Sequence, residues 1–218
     1  MAKKIFITGI SGTGKTTIAT NLAAMRTTAT GEVLLVDTDA QSTSTYWCSR
    51  REDNEENNAI VPRVTSIQKS GKAVKSEVIE LNRKYSDIII DAGGRDSPEL
   101  RSALLVCDKV IFPLRPSQFD MWTLDRLNML VNTALEINEP LKAYVLVSQS
   151  PTNPASKEVK EMKGFLEEFE RLELLNSVVC ERIAFRRAAL SGLSVLEYKP
   201  EDLKATSEIK SLYHEIYG

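Results

Sequence analysis

Gly9-Ile10-Ser11-Gly12-Thr13-Gly14-Lys15-Thr16-Thr17 sits between two runs of different periodicity. Ahead of it, Lys3-Lys4-Ile5-Phe6-Ile7-Thr8 is a β-branched and aromatic run that reads as a buried strand; behind it, Ile18 to Met25 keeps helical spacing. The glycines therefore fall on a strand-to-helix turn. From Gly9 to Thr16 the spacing is G-x-x-x-x-G-K-[ST], a loop whose backbone N–H groups wrap phosphates while a helix N-terminus faces their charge. Gly12, Thr13, Gly14, Lys15, Thr16 and Thr17 then line the phosphates, with Lys15 on the β and γ groups and the Thr16 hydroxyl on Mg²⁺. A flexible Gly/Ser/Thr turn that happens to hold a lysine is the plain alternative. It gives no reason for a strand before and a helix after.

Working outward, the 218 residues contain no Pro/Gly/Ser-rich linker and no break in composition, so one domain over residues 1–218 is expected. Such a length buries about 70% of the unfolded surface. With 28 basic against 30 acidic residues, the chain has no global nucleic-acid signature, and any DNA contact must come from a local patch. Cys48, Cys107 and Cys180 are widely spaced, which points to neither a zinc site nor a disulfide framework and fits a reduced, intracellular protein. The N-terminus enters a strand at once, so no signal peptide is expected, and no apolar run has the length of a membrane span. Arg50 to Asn58 is polar and reads as a solvated loop.

Glu32-Val33-Leu34-Leu35-Val36-Asp37 reads as a second buried strand, and with Asp39 two residues on, two carboxylates leave its end, where open α/β sheets bind ligands. A helix cap would explain Asp39 about as well locally. Ile60 to Ser66 suggests a short strand, placed at an edge by Pro62. Val74, Val78, Leu81 and Tyr85 mark one helix face. Asp87-Ile88-Ile89-Ile90-Asp91 is an apolar strand ending on a carboxylate, followed by Ala92-Gly93-Gly94. Asp91 can organise Mg²⁺, directly or through water, and Gly93 or Gly94 can bring a backbone N–H to the γ-phosphate; a turn-forming aspartate is the ordinary alternative. Further on come a helix over 97–106, a strand over 109–113, a helix marked by Leu124, Leu127, Val131 and Ala134, and a strand over 143–147. Asn153-Pro154 can cap a helix buried through Val159, Met162, Leu166 and Phe169, and a strand over 177–180, basic Arg182 to Arg187 and a helix over 201–217 close the chain. Strands alternating with helices predict an α/β fold, a mostly parallel twisted sheet with helices on both faces.

The phosphate loop, Val36-Asp37-Thr38-Asp39-Ala40-Gln41, Ile90-Asp91-Ala92-Gly93-Gly94 and Pro113-Leu114-Arg115-Pro116-Ser117-Gln118-Phe119-Asp120 together resemble the ParA/MinD family of deviant-Walker P-loop ATPases, in particular the small ParA proteins of plasmid and chromosome partition. The similarity implies ATP and Mg²⁺ as cofactors and a homodimer that forms on ATP binding and sandwiches two nucleotides. Carried over, Lys15 and Thr16 hold phosphate and metal, Asp37 and Asp91 complete the metal's water shell, and Asp39 positions the attacking water. It also implies nonspecific DNA and a centromere-binding adaptor protein as partners, no membrane, and a cytoplasmic, nucleoid-associated location. Arg182, Arg186 and Arg187 are the candidate DNA contacts, against the alternative of an ordinary solvated helix start. Adenine is expected from the family, with Ser148 and Gln149 as candidate contacts.

The chain departs from the pattern where it matters for rate. A signature lysine five residues before the loop lysine is replaced by Ile10, a glycine by Ser11, and a proline by Ala40. The lysine acts across the dimer, and trans cations of that kind are worth roughly 10³ to 10⁵ in rate. Either another cation, Arg95 or Arg115, takes its place, or hydrolysis is slow and binding dominates. A metabolic enzyme such as one like dethiobiotin synthetase needs no trans lysine and is the main competing reading. A MinD-like membrane regulator needs a basic amphipathic tail, whereas Ile209, Leu212, Tyr213 and Ile216 with Glu208 and Glu215 suggest a helix packed on the domain. Trp47, Trp122 and His214 are read as structural.

Overall fold

Ile88-Ile89-Ile90 has no polar side to turn toward water, and the sheet built around it is covered on both faces. The computed structural model describes residues 3–53, 61–151 and 157–218. Its strands are β1 (Lys3–Ile7), β2 (Val33–Asp37), β3 (Thr65–Gln68), β4 (Asp87–Asp91), β5 (Lys109–Leu114), β6 (Lys142–Ser150) and β7 (Glu173–Cys180). They form one seven-stranded sheet in the order β3-β2-β4-β1-β5-β6-β7, and every neighbouring pair is parallel. The expected mostly parallel sheet is thus parallel throughout.

The helices are α1 (Lys15–Thr30), α2 (Thr43–Asp53), α3 (Ala73–Leu81), α4 (Pro98–Leu104), α5 (Gln118–Met121), α6 (Leu124–Leu135), α7 (Lys157–Leu166), α8 (Ile183–Leu190) and α9 (Leu203–Tyr217). Successive strand residues point to opposite faces, so the core divides in two. Phe6, Ile88, Ile90, Val110 and Phe112 pack with α3, α4, α6 and α7. Ile5, Ile7, Ile89 and Ile111 pack with Leu22 of α1, Trp47 of α2, Phe185 of α8 and Leu212 of α9. Helix starts are fixed by short polar side chains where the sequence offers them: the Ser97 hydroxyl accepts from Leu100 N ahead of α4, and Asp202 accepts from Lys204 N and Ala205 N ahead of α9.

α2 corrects the expectation of a solvated loop from Arg50. Residues 50–53 form its last turn, and 54–58 lie outside the described residues. Arg51 is only 2% exposed: it donates to both Glu197 carboxylate oxygens at 2.9 and 2.7 Å, to Gly192 O at 2.9 Å and to Pro62 O at 3.0 Å, and lies over the Trp47 ring. A charge run looks solvated in sequence because its partner is 146 residues away. β3 starts later than the strand expected from Ile60, which is not among the described residues, but occupies the edge that Pro62 requires. The Asn153-Pro154 cap also falls outside them, although Met162 and Leu166 of α7 are buried as expected. Trp47 is buried in the core, whereas Trp122 is 61% exposed with its ring edge-on to Phe119.

Candidate functional site

Three neighbouring strands end at one level. Ile7 of β1 is the Cα partner of Asp91 of β4, and Asp91 is the partner of Asp37 of β2, which brings both carboxylates to the sheet edge from which the glycine loop leaves. This is the crevice at the carboxyl ends of the strands where open α/β sheets place ligands. Within the loop Gly12 and Gly14 have φ of +78° and +86°, a left-handed region that costs other residues and lets successive N–H groups converge on an anion. Gly94, the alternative to Gly93 as a γ-phosphate contact, is dictated by the same loop: a Cβ there would lie 2.6 Å from Gly9 O and 2.7 Å from Ser11 N. Gly93 faces the Asp39 carboxylate, 3.4 Å from where its own Cβ would stand.

The side chains form a compact polar set. Thr16 Oγ1 donates to Asp91 Oδ2 at 2.7 Å, while Asp91 Oδ1 is buried with no hydrogen-bond partner. Burial pushes the Asp91 carboxyl up to about 7; the Thr16 hydrogen bond and the Lys15 charge oppose this, and the neighbouring Asp37 adds to it. Lys15 is buried as well, and its Nζ donates to Ile10 O at 3.0 Å, folded back over the loop. Its pKa is lowered by burial, against the attraction of Asp91 and Asp39. Asp37 has both oxygens engaged: Oδ1 accepts from Asp39 N at 3.1 Å, and Oδ2 accepts from the backbone N and hydroxyl of Thr45 at 2.8 and 2.9 Å. Asp37 therefore also holds the first turn of α2, a partnership the sequence did not reveal. Among the described residues the Asp39 side chain accepts only from Gln41 N, at 3.0 Å, and it is the least buried of the three carboxylates.

These residues fit Mg²⁺. A buried carboxylate oxygen without a donor beside a threonine hydroxyl is a hard-oxygen corner, and Mg²⁺ takes one or two carboxylates plus phosphate and water rather than an all-protein cage. Accordingly, no group of three or more His, Cys, Asp or Glu able to hold a metal occurs among the described residues.

Cavities open on both sides of the loop. The larger, about 850 Å³, is lined by Ser11, Asp39, Gln68, Lys69, Gly93 and Arg95 among others. The smaller, about 230 Å³, runs from Gly12 and Thr17 past Arg115 to Ser148, Gln149 and Arg186. Arg115 crosses from the end of β5 to donate to Gly12 O and, at 3.1 Å, to Gln149 Oε1.

The basic segment is not one unit. Arg182 donates to Glu208 Oε1 at 2.6 and 3.0 Å and is half-buried, whereas Arg186 and Arg187 are both exposed on α8. The only ion pair of Arg186 among the described residues is the loose 3.5 Å contact with Glu181. Ile209, Leu212 and Ile216 of α9 are buried in the core, and no helix among the described residues is long and apolar enough to cross a membrane.

With this geometry in view, comparison with known proteins is informative. The maintenance of carboxysome distribution protein A of Halothiobacillus neapolitanus is 27% identical over 206 residues, covering 94% of this chain and 91% of that protein. A Borrelia burgdorferi protein assigned to plasmid partition, bound to AMPPNP, shares the fold with a TM-score of 0.72 and 20% identity over 99% of this chain and 98% of its own. The septum site-determining protein MinD of Pyrococcus horikoshii, complexed with Mg-ADP, does so with a TM-score of 0.73 and 19% identity over 100% and 96%. The model of the CobQ/CobB/MinD/ParA nucleotide binding domain matches residues 4–195, and the chain belongs to that family.

Proposed function

We propose that the chain is a ParA/MinD-type positioning ATPase: an ATP-dependent homodimer that binds DNA nonspecifically, is released by hydrolysis, and serves the partition of DNA or another large cargo. The observation that carries this is the Thr16–Asp91 hydrogen bond with the orphaned Asp91 Oδ1 at the mouth of the phosphate loop. Mg²⁺, when bound, would supply charge that neutralises the phosphate oxygens. Lys15, now on the Ile10 carbonyl, would turn to phosphate, a small movement for a group already inside the loop. Thr16 and Asp91 would hold the metal, Asp37 would back them while anchoring α2, and Asp39, beside Gly93, would orient the attacking water. The nucleoside then extends into the cavity toward Ser148 and Gln149. Similarity over 94% of the chain to a protein named for carboxysome distribution supports a positioning role; a centromere- or cargo-binding adaptor as partner and a cytoplasmic, nucleoid-associated location complete the proposal.

ATPase rate and sedimentation, each with and without DNA, test the reading on the wild type and on Ile10→Lys. DNA-dependent, ATP-dependent dimers with slow turnover are expected, and Ile10→Lys should raise the rate at least about tenfold if the missing trans cation limits it. Behaviour that ignores DNA in every condition would overturn the partition role. The cavity of about 850 Å³ beside Asp39 favours one second reading, an ATP-dependent enzyme acting on a small molecule, and product formation without DNA is its signature.

A further inference from the structure

Arg115 lies in the Pro113 to Asp120 stretch, and its contacts join that stretch to the phosphate loop and to β6. Its backbone is fixed: Pro113 and Pro116 flank it, its N–H donates to the buried Asp120 carboxylate at 2.9 Å, and Asp120 N in turn donates to the Ser117 hydroxyl. The guanidinium then makes two contacts in different directions. One N–H goes to Gly12 O and Nε–H to Gln149 Oε1. Gln149 lies at a register shift between Ser148 and Ser150 of β6 and has φ of +50°, an uncommon backbone for a side chain other than glycine. A bulge re-aims a side chain, and here the re-aimed amide receives Arg115. A Cβ at Gly12 would lie 2.9 Å from the Arg115 Nη2, so the guanidinium also needs the glycine. Among the described residues Arg115 has no ion pair with a carboxylate, which leaves its charge uncompensated beside the cradle.

We infer that Arg115 is a positioning residue for the phosphate cradle of its own chain: by holding the Gly12 carbonyl outward it keeps the left-handed Gly12 turn, and with it the inward set of loop N–H groups, ready for a nucleotide. A peptide plane has its C=O and N–H on opposite sides, so fixing the carbonyl from outside fixes the neighbouring N–H within. This rests on the nucleotide-site reading given above. It differs from a cation that replaces the missing loop lysine, since Arg115 acts through Gly12 on the ground-state cradle, and Arg95 lines the opposite cavity.

The test is nucleotide affinity by calorimetry, with Mg-ATP and Mg-ADP, and turnover, on wild type, Arg115→Ala and Arg115→Lys. Arg115→Ala should weaken ATP and ADP alike by about tenfold or more, the scale of a lost charged hydrogen bond, with kcat within about threefold of wild type. Because Arg115 is exposed, melting of the nucleotide-free variant should stay within about 2 °C of wild type, which separates positioning from a folding role. Arg115→Lys keeps the charge but cannot span Gly12 and Gln149, so it should recover only part of the affinity. Unchanged ADP affinity, with or without a fall in kcat, overturns the inference, as does full recovery by lysine or a large drop in nucleotide-free melting. If the wild type itself binds neither nucleotide, the site reading fails first and the inference goes with it.

Discussion

Asp91 is 1% exposed, with one oxygen accepting from Thr16 and the other near the buried Ser44 hydroxyl without a hydrogen bond of normal geometry. Its carboxyl, raised to about 7 from an ordinary value near 3.8, favours the neutral form in the fold, so the stability it lends is complete below about pH 4 and is lost as pH rises through 7. Asp91→Asn should therefore raise the melting temperature of the nucleotide-free protein at pH 8 by about 2–4 °C or more, the shift that about 1 kcal/mol gives in a domain of this size, and the gain should shrink toward pH 5. Calorimetry at pH 8 should find Mg-ATP binding lost in the same variant. This conflict was half legible in sequence: an apolar strand ending in aspartate next to a phosphate loop marks Asp91, but its orphaned oxygen and shifted pKa depend on what packs above it. Gly94 shows the same limit. The two glycines read equally well as γ-phosphate contacts, whereas the second is also required sterically because Gly9 and Ser11 pass within 3 Å of its missing Cβ.

At the scale of elements, α2 is where sequence reading failed and for an identifiable reason. Its hydrophobic signal is weak, and its anchor is a salt bridge to a segment far along the chain. Burial pushes the Glu197 carboxyl up, but the Arg51 hydrogen bond and charge and the Ser194 N–H draw it below the ordinary glutamate value. A depressed carboxyl contributes stability above its unfolded pKa and loses it as pH falls through the folded one. Glu197→Gln should thus cost about 3 kcal/mol at pH 7 by denaturant titration, because Arg51 is left buried with half its partner, and the cost should shrink as the wild type is taken below pH 4. Gly192→Ala strikes the same joint from the other side. Its φ is +65° and a Cβ would stand 2.4 Å from Arg51 N, so a loss of at least about 3 kcal/mol is expected. By contrast β1, β2 and β4 were legible almost to the residue, since buried parallel strands carry their pattern locally, while α1 was legible in its middle, Ile18 to Met25, but runs on to Thr30.

For the whole molecule, a net charge of −2 means that the proposed DNA retention would have to come from a small area in which charge is concentrated. With Arg182 tied to Glu208, Arg186 and Arg187 remain, two per chain and four in a dimer. Removing both should flatten the dependence of log affinity on log salt by about 3 to 4, measured by anisotropy on nonspecific duplex, and a merely mild loss would place the contact elsewhere. The class of fold and one edge of the sheet were legible in the sequence; the pairing of Arg182 with Glu208 appears only once α8 and α9 are set side by side.

The opposite settings of the two tryptophans make the protein its own optical reporter. Trp47 is shut in the core near the Arg51 joint and should emit at shorter wavelength, out of reach of iodide; Trp122 stands in water behind the turn that carries Arg115 and should be quenched freely. With Trp47 replaced by phenylalanine, a single indole would watch the flank of the nucleotide loop, and a change in its colour or quenching on adding Mg-ATP would reveal occupancy without a label.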